Sequence, residues 1–268
     1  MSAYKIEAGT AQHLGSRPQQ NDRAALFTAP HAPGYVLAVV ADGVHGGAVA
    51  SEQALHTARQ LFDEYKVGDA PNPARVAELL RGIAQEAHDI LLMNAISSSA
   101  EPQATLALLM LTPQQQAIWA TVGDTRIYRF SGGACTGRSN DTDYVEHLVR
   151  NDGLPPDAAR KHRSSRLLAN VLGNKLKKPF VSTGTQENLK AGDAFMLCSD
   201  GLWQYFTDSE LATVVARKTP REAAELLINK AGERAQGKGD NCTMAIVKLA
   251  ALPKEVPTYT VQKLRKAI

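Results

Sequence analysis

Residues 105–111, TLALLML, and 116–122, QAIWATV, are separated only by TPQQ. That spacing constrains the fold more than any other feature of the chain. Both segments are short and apolar, the pattern of buried strands. A connection this short closes an antiparallel hairpin, whereas parallel neighbours need a crossover of about a dozen residues or more. The sheet is therefore at least partly antiparallel.

Four further segments read as strands: 35–42, 126–130, 193–200 and 242–249. Helices alternate with them. From Pro73 to Ala95, Val76, Leu79, Leu80, Ile83, Ala87, Ile90 and Leu91 recur at helical spacing. In 48–65, Ala50, Ala54, Ala58, Leu61 and Phe62 form one stripe. Two capping boxes, Thr207 with Glu210 and Thr219 with Glu222, open two more helices late in the chain. Strands, two helices, strands and two helices imply sheets covered by helical layers in a single domain over 1–250. Residues 131–180 lack clear periodicity and read as an irregular, flap-like insertion. Residues 251–268 follow the last strand as an appended tail, in which Val261, Leu264 and Ile268 have helical spacing.

Composition narrows the class. Hydrophobic residues are 44% and charged residues 21%, ordinary for a globular protein, and a net charge of +3 does not by itself call for nucleic acid. Cys135, Cys198 and Cys242 lack metal-thiolate spacing and do not suggest a disulfide framework. Cys198 lies within an apolar run and reads as core rather than nucleophile. The start MSAYKIEAGT has no signal-peptide pattern, and no apolar run reaches the roughly 20 residues needed to span a bilayer. The expectation is a cytoplasmic protein without membrane or nucleic-acid partners.

The apolar run FMLCSDGLW delivers Asp200 at its tip, and the figure recurs at Asp42 in VVADGVHGG, Asp124 in ATVGDTRIY and Asp240 in GKGDNCTMAIV. One Asp-Gly is normally only a turn. Four carboxylates meeting at one place would need counter-ions, and oxygen ligands without His or Cys suit Mg²⁺ or Mn²⁺. Upstream, SRPQQND carries Arg17 five residues before Asp22. A guanidinium beside such a cluster suits a phosphoryl group, because its planar fork pairs two oxygens.

The ordered set SRPQQND, VVADGVHGG, ATVGDTRIY, LCSDGLW and GDNCTMAIV, from about Gly15 to Leu249, resembles the metal-dependent PP2C-type protein phosphatases of bacteria. The resemblance implies an α+β fold, a four-layer α-β-β-α sandwich of two antiparallel sheets flanked by helix pairs. It implies hydrolysis of phosphoserine and phosphothreonine monoesters in signalling, with two Mn²⁺ or Mg²⁺ ions activating a bridging water and an occasional third ion. Asp42 would bridge the pair, with Gly43 offering its carbonyl. Asp200 and Asp240 would complete one shell, and Asp22 would hold the second ion through water. Asp124 would share the third ion with Asp200, and Arg17 would hold the phosphate. Phosphorylated proteins would be the substrates and a serine/threonine kinase the antagonist.

Several residues depart from that pattern. Asn21 stands where relatives carry an acidic residue or glutamine, so weaker binding of the second ion is expected. It is also the one feature favouring a phosphoprotein-binding pseudophosphatase. Animal-type members carry histidine two residues after the bridging aspartate; here Val44 fills that slot and His45 follows, either facing the cleft or continuing the turn. Asn21, His45 and Asn241 are the flanking candidates. Trp119 and Trp203 read as packing. Between Arg150 and Lys178, eight Lys or Arg face two Asp, either a solvated face or an attractor for acidic phosphoproteins.

Overall fold

The computed structural model describes residues 4–44, 47–68, 72–96, 101–141, 149, 153–161 and 170–252. Among them, two five-stranded sheets stack face to face. One runs β1 (Tyr4–His13), β10 (Cys242–Ala251), β9 (Ala194–Cys198), β6 (Arg126–Ser131), β7 (Ala134–Arg138). The other runs β2 (Arg23–Ala29), β3 (Ala32–Gly43), β4 (Ala104–Thr112), β5 (Gln116–Val122), β8 (Ser182–Gln186). Every pairing is antiparallel, and the hairpin anticipated from TPQQ joins β4 to β5.

Side-chain alternation explains why the central strands read as unbroken apolar runs. All nine residues of β4 are buried. Leu106, Leu108 and Met110 point to a helical layer, whereas Ala107, Leu109 and Leu111 meet the facing sheet. β3 divides likewise, with Leu37 and Val39 outward and Ala38 and Val40 inward. A strand buried on both faces has no polar side to show.

Helices α1 (Ala48–Glu64) and α2 (Pro73–Ile96) cover the β3–β4 sheet. Ala50, Ala54, Ala58 and Phe62 of α1 are fully buried, as are Leu80, Ile83, Ala87 and Leu91 of α2. Alanine at helical spacing lets α1 lie close to its neighbours. A short helix, α3 (Pro156–Lys161), and a one-turn helix, α4 (Asp200–Trp203), precede α5 (Asp208–Arg217) and α6 (Pro220–Ala235), which cover the other sheet. Both expected capping boxes are present, Thr207 with Glu210 and Thr219 with Glu222. Each satisfies orphan N–H groups at a helix start.

The stretch read as an irregular insertion begins differently: residues 134–138 form β7 against β6. Leu172 bridges to Ala104 of β4 through a pair of backbone hydrogen bonds. Residues 142–148, 150–152 and 162–169 of that stretch, and 253–268 of the tail, lie outside the described residues. No helix among the described residues is long and apolar enough to cross a membrane.

Candidate metal centre

Each expected carboxylate sits at one end of the sandwich. Asp42 is the second-last residue of β3, Asp124 lies between β5 and β6, and Asp200 starts α4 one residue after β9. Asp240 precedes β10, and Asp22 precedes β2. The antiparallel register forces this gathering, since Asp42 faces Thr105 at the start of β4 and Cys198 faces both Arg126 and Met244. An open cleft of about 410 Å³ results, lined by Arg17, Asn21, Asp42, Gly43, Val44, Asp124, Asp200, Asp240 and Asn241.

The glycines after two of these aspartates do not adopt positive φ, as a simple Asp-Gly turn would suggest. They permit close approach instead. A Cβ on Gly43 would stand 2.5 Å from the Gly47 carbonyl oxygen, and one on Gly201 would stand 2.0 Å from that of Asn241.

The loop carrying Arg17 is laced to the chain before β10. Ser16 donates to the Gly239 carbonyl from both N and Oγ, each at 2.8 Å. The Asn241 side chain accepts from Asn21 N at 2.7 Å and donates to the Leu14 carbonyl at 2.8 Å. Arg17 Nη2 donates to Asp240 Oδ2 at 2.5 Å, while Asn241 N donates to Asp240 Oδ1. Asn241 thus places two loops rather than lining the site passively.

Asp22 lies behind the cleft wall, beside Asp42. It is 1% exposed and absent from the cleft wall. Ser199 Oγ donates to its Oδ2 at 2.7 Å, whereas Oδ1 is buried without a hydrogen-bond partner. The Asp42 carboxyl stands beside it, acceptor against acceptor. Such a pair requires a proton or a cation. Burial pushes Asp22 up to about 6 and, with Asp22, Asp200 and Asp124 nearby, raises Asp42 well above the usual carboxylate range. Burial and Asp240 raise Asp200 as well.

Among the described residues, no three of His, Cys, Asp and Glu already stand as a ready cage for an ion. Asp240 is turned to Arg17 and Asp22 to Ser199. The donor set nonetheless fits hard divalent cations: carboxylate and backbone oxygens at an open cleft, with negative charge crowded enough to favour protonation in their absence. His45 lies outside the described residues, so its orientation carries no part of the site.

Raised folded-state pKa values mean the native state holds protons that the unfolded chain has released. These carboxylates therefore contribute stability that is fully present below the unfolded value of 3.8 and, for Asp22, is lost as pH rises through about 6. Thermal melts of EDTA-treated protein should show Tm declining between pH 5 and 7.5, with added Mn²⁺ reversing the decline. A metal-free Tm rising across that interval would refute this electrostatic picture.

Sequence reading missed the groups that support the cleft. Ser199 lies inside the SDG figure yet bonds Asp22. Thr125 and Thr105 share a 2.5 Å hydroxyl contact that ties the Asp124 turn to the cross-strand neighbour of Asp42. Trp203 packs against the core as expected, but its Nε1 also donates to the Asp124 carbonyl at 3.0 Å.

Two stacked antiparallel sheets between helix layers, with an acidic, oxygen-lined cleft at one end, define an α+β sandwich protein whose cleft suits hard cations. The chain belongs to the protein phosphatase 2C family, whose model matches residues 10–229. It is 30% identical over 217 residues to the serine/threonine phosphatase Stp of Listeria monocytogenes, covering 79% of this chain and 83% of the relative. The Streptococcus agalactiae serine/threonine phosphatase shares the fold at a TM-score of 0.78 and 23% identity, covering 91% of this chain and 99% of that one. The catalytic domain of the phosphatase PstP, solved with two manganese ions, superposes at a TM-score of 0.72 and 22% identity over 91% of this chain and 98% of its own.

Proposed function

We propose that this protein is a metal-dependent serine/threonine protein phosphatase that hydrolyses phosphomonoesters on proteins. The observation carrying the reading is the convergence of Asp42, Asp124, Asp200 and Asp240 with Arg17 on one open cleft, in a chain of this family. Ions held there, Mn²⁺ foremost, would supply an acidified water as nucleophile and positive charge to balance the phosphate. Asp42, with the Gly43 carbonyl, would hold two ions together. Asp200 and Asp240 would complete the shell of one of them, and Asp124 with Asp200 would hold a third.

Arg17 is 56% exposed and spends Nη2 on Asp240. The rest of its fork can address a phosphate at the lip of the cleft, steering it in and balancing charge as the ester bond breaks. Asp22, held by Ser199 beside Asp42, would hold the second ion through water. Asn21 borders the cleft as a neutral residue whose main-chain N and carbonyl are both engaged, by Asn241 and Ser51.

The same reading places the protein in bacterial signalling, acting on phosphorylated proteins against a serine/threonine kinase, in the cytoplasm. The bacterial serine/threonine phosphatases it resembles support it.

The test is hydrolysis of p-nitrophenyl phosphate and a phosphothreonine peptide with Mn²⁺, with and without EDTA. Turnover that needs the metal supports the reading; metal-independent or absent turnover contradicts it. Arg17→Ala should lower kcat/KM for the peptide about 10- to 100-fold, chiefly through KM, the value of charged hydrogen bonds of about 1.5–3 kcal/mol. An unchanged KM would return Arg17 to the surface. Asn21→Asp should tighten binding of the second ion about tenfold, measured by Mn²⁺ titration calorimetry, because one added charge meets a divalent ion. Equal or weaker affinity would remove Asn21 from the ion's surroundings.

A further inference from the structure

Arg126 is a cation held beneath the cleft with no part in the chemistry above. It is 9% exposed, and its guanidinium forks the Asp141 carboxylate, Nε to Oδ1 at 2.7 Å and Nη2 to Oδ2 at 2.6 Å. Its Cζ lies 3.4 Å from the centroid of the Trp203 ring. Trp203 in turn donates Nε1–H to the Asp124 carbonyl at 3.0 Å. A fork and a stack together fix a guanidinium in plane and position, more rigidly than either does alone.

We propose that Arg126, clamped by Asp141, is a positioning residue that seats Asp124 through the Trp203 ring. The inference rests on the phosphatase reading, in which Asp124 and Asp200 share the third ion.

The stack fixes the tilt of the indole, and the indole N–H fixes the carbonyl of the turn that carries the Asp124 carboxylate. The Thr125–Thr105 contact holds the same turn from its other side. Asp200 is joined to the arrangement because it begins the single helical turn that ends in Trp203. Residues 124, 126, 200 and 203 therefore form one unit, in which the distance between the two carboxylates depends on a partly buried ion pair rather than on the cleft wall. Without the clamp the turn keeps its covalent path and its threonine tie but loses orientation at Asp124.

The deciding experiment is Mn²⁺ titration by calorimetry and electron paramagnetic resonance on the full chain and its variants. Trp203→Phe keeps a ring under the guanidinium but removes the N–H. It should raise the Mn²⁺ concentration that half-fills the weakest site about three- to tenfold, the worth of one hydrogen bond, while the tighter ions bind as before. At saturating Mn²⁺, kcat should return to within about twofold of wild type. Asp141→Asn, which loosens the clamp without touching the ring, should shift the same ion in the same direction.

In an Asp124→Ala background, Trp203→Phe should add nothing, because its target is gone. A Trp203→Phe effect that spreads over all the ions, adds in full to Asp124→Ala, or is absent would overturn the positioning role. If Trp203→Phe does not fold, Asp141→Asn alone and with Asp124→Ala decides by the same criteria. Wild-type protein without Mn²⁺-dependent turnover would overturn the phosphatase reading, while the titrations would still decide whether Arg126 and Trp203 seat Asp124.

Discussion

Asp42→Asn should lower Mn²⁺-dependent kcat by about 10³ or more and, in the same protein, raise the Tm of the metal-free form. The two effects share one cause. Asp42 closes β3 against Asp22, with Asp200 and Asp124 close by, and burial compounds the repulsion among them. Asparagine keeps the shape and removes a charge, so the fold is relieved while the residue that would hold two ions together is lost. Relief of about 1–2 kcal/mol corresponds to a gain of roughly 2–8 °C for a chain of this size. The decline of metal-free stability with pH should also flatten. Turnover and melting measured side by side check the pair, and near-normal turnover with a lower metal-free Tm would contradict both.

Gly201→Ala carries the other large effect. Its Cβ would stand 2.0 Å from the Asn241 carbonyl oxygen and 2.9 Å from the carbonyl carbon. Both contacts are backbone, so no flexible side chain can move aside. Relief requires the helix that begins at Asp200 to shift away from the Asp240–Asn241 loop. Overpacking of this kind costs about 1–3 kcal/mol or more, and displacing a reacting group by about 1 Å costs about 10² in rate. Gly82→Ala is the control. It lies within α2, and a Cβ there meets nothing within 4 Å. It should gain about 0.5–1 kcal/mol of stability with activity intact. Denaturant unfolding and turnover separate the two variants, and a stable, active Gly201→Ala would disprove the close-packed junction between Asp200 and Asn241.

What the sequence concealed follows a physical pattern. The strands β3, β4, β5, β6, β9 and β10 were legible, and each has a neighbour on both sides in its sheet. The segments not read as strands, β1, β2, β7 and β8, are the four sheet edges. β1 and β7 alternate buried or half-buried with exposed positions along much of their length, and β8 is polar throughout its five residues, STGTQ. With one side of the ladder open, such strands need little apolar content, and their hydrogen bonds come from a partner far away in the chain.

The candidate ligands were legible for the opposite reason, since each is a charge set at the end of an apolar run. Their supporting groups were not. Ser199, Thr105, Thr125 and Trp203 act through contacts with residues distant in sequence, among them a Ser199–Asp22 bond spanning 177 positions. The ion role expected of Asp22 came from the family resemblance alone, and its place beside Asp42, with Ser199 bonded to it, shows only in the packing.

The most direct measurement is anomalous diffraction from crystals grown with Mn²⁺. Two peaks in the cleft, both touching Asp42 and one also touching Asp200 and Asp240, are the expected result. Peaks elsewhere, or a cleft without manganese in crystals whose protein hydrolyses phosphopeptide, would contradict the claim that these carboxylates hold the ions that do the work.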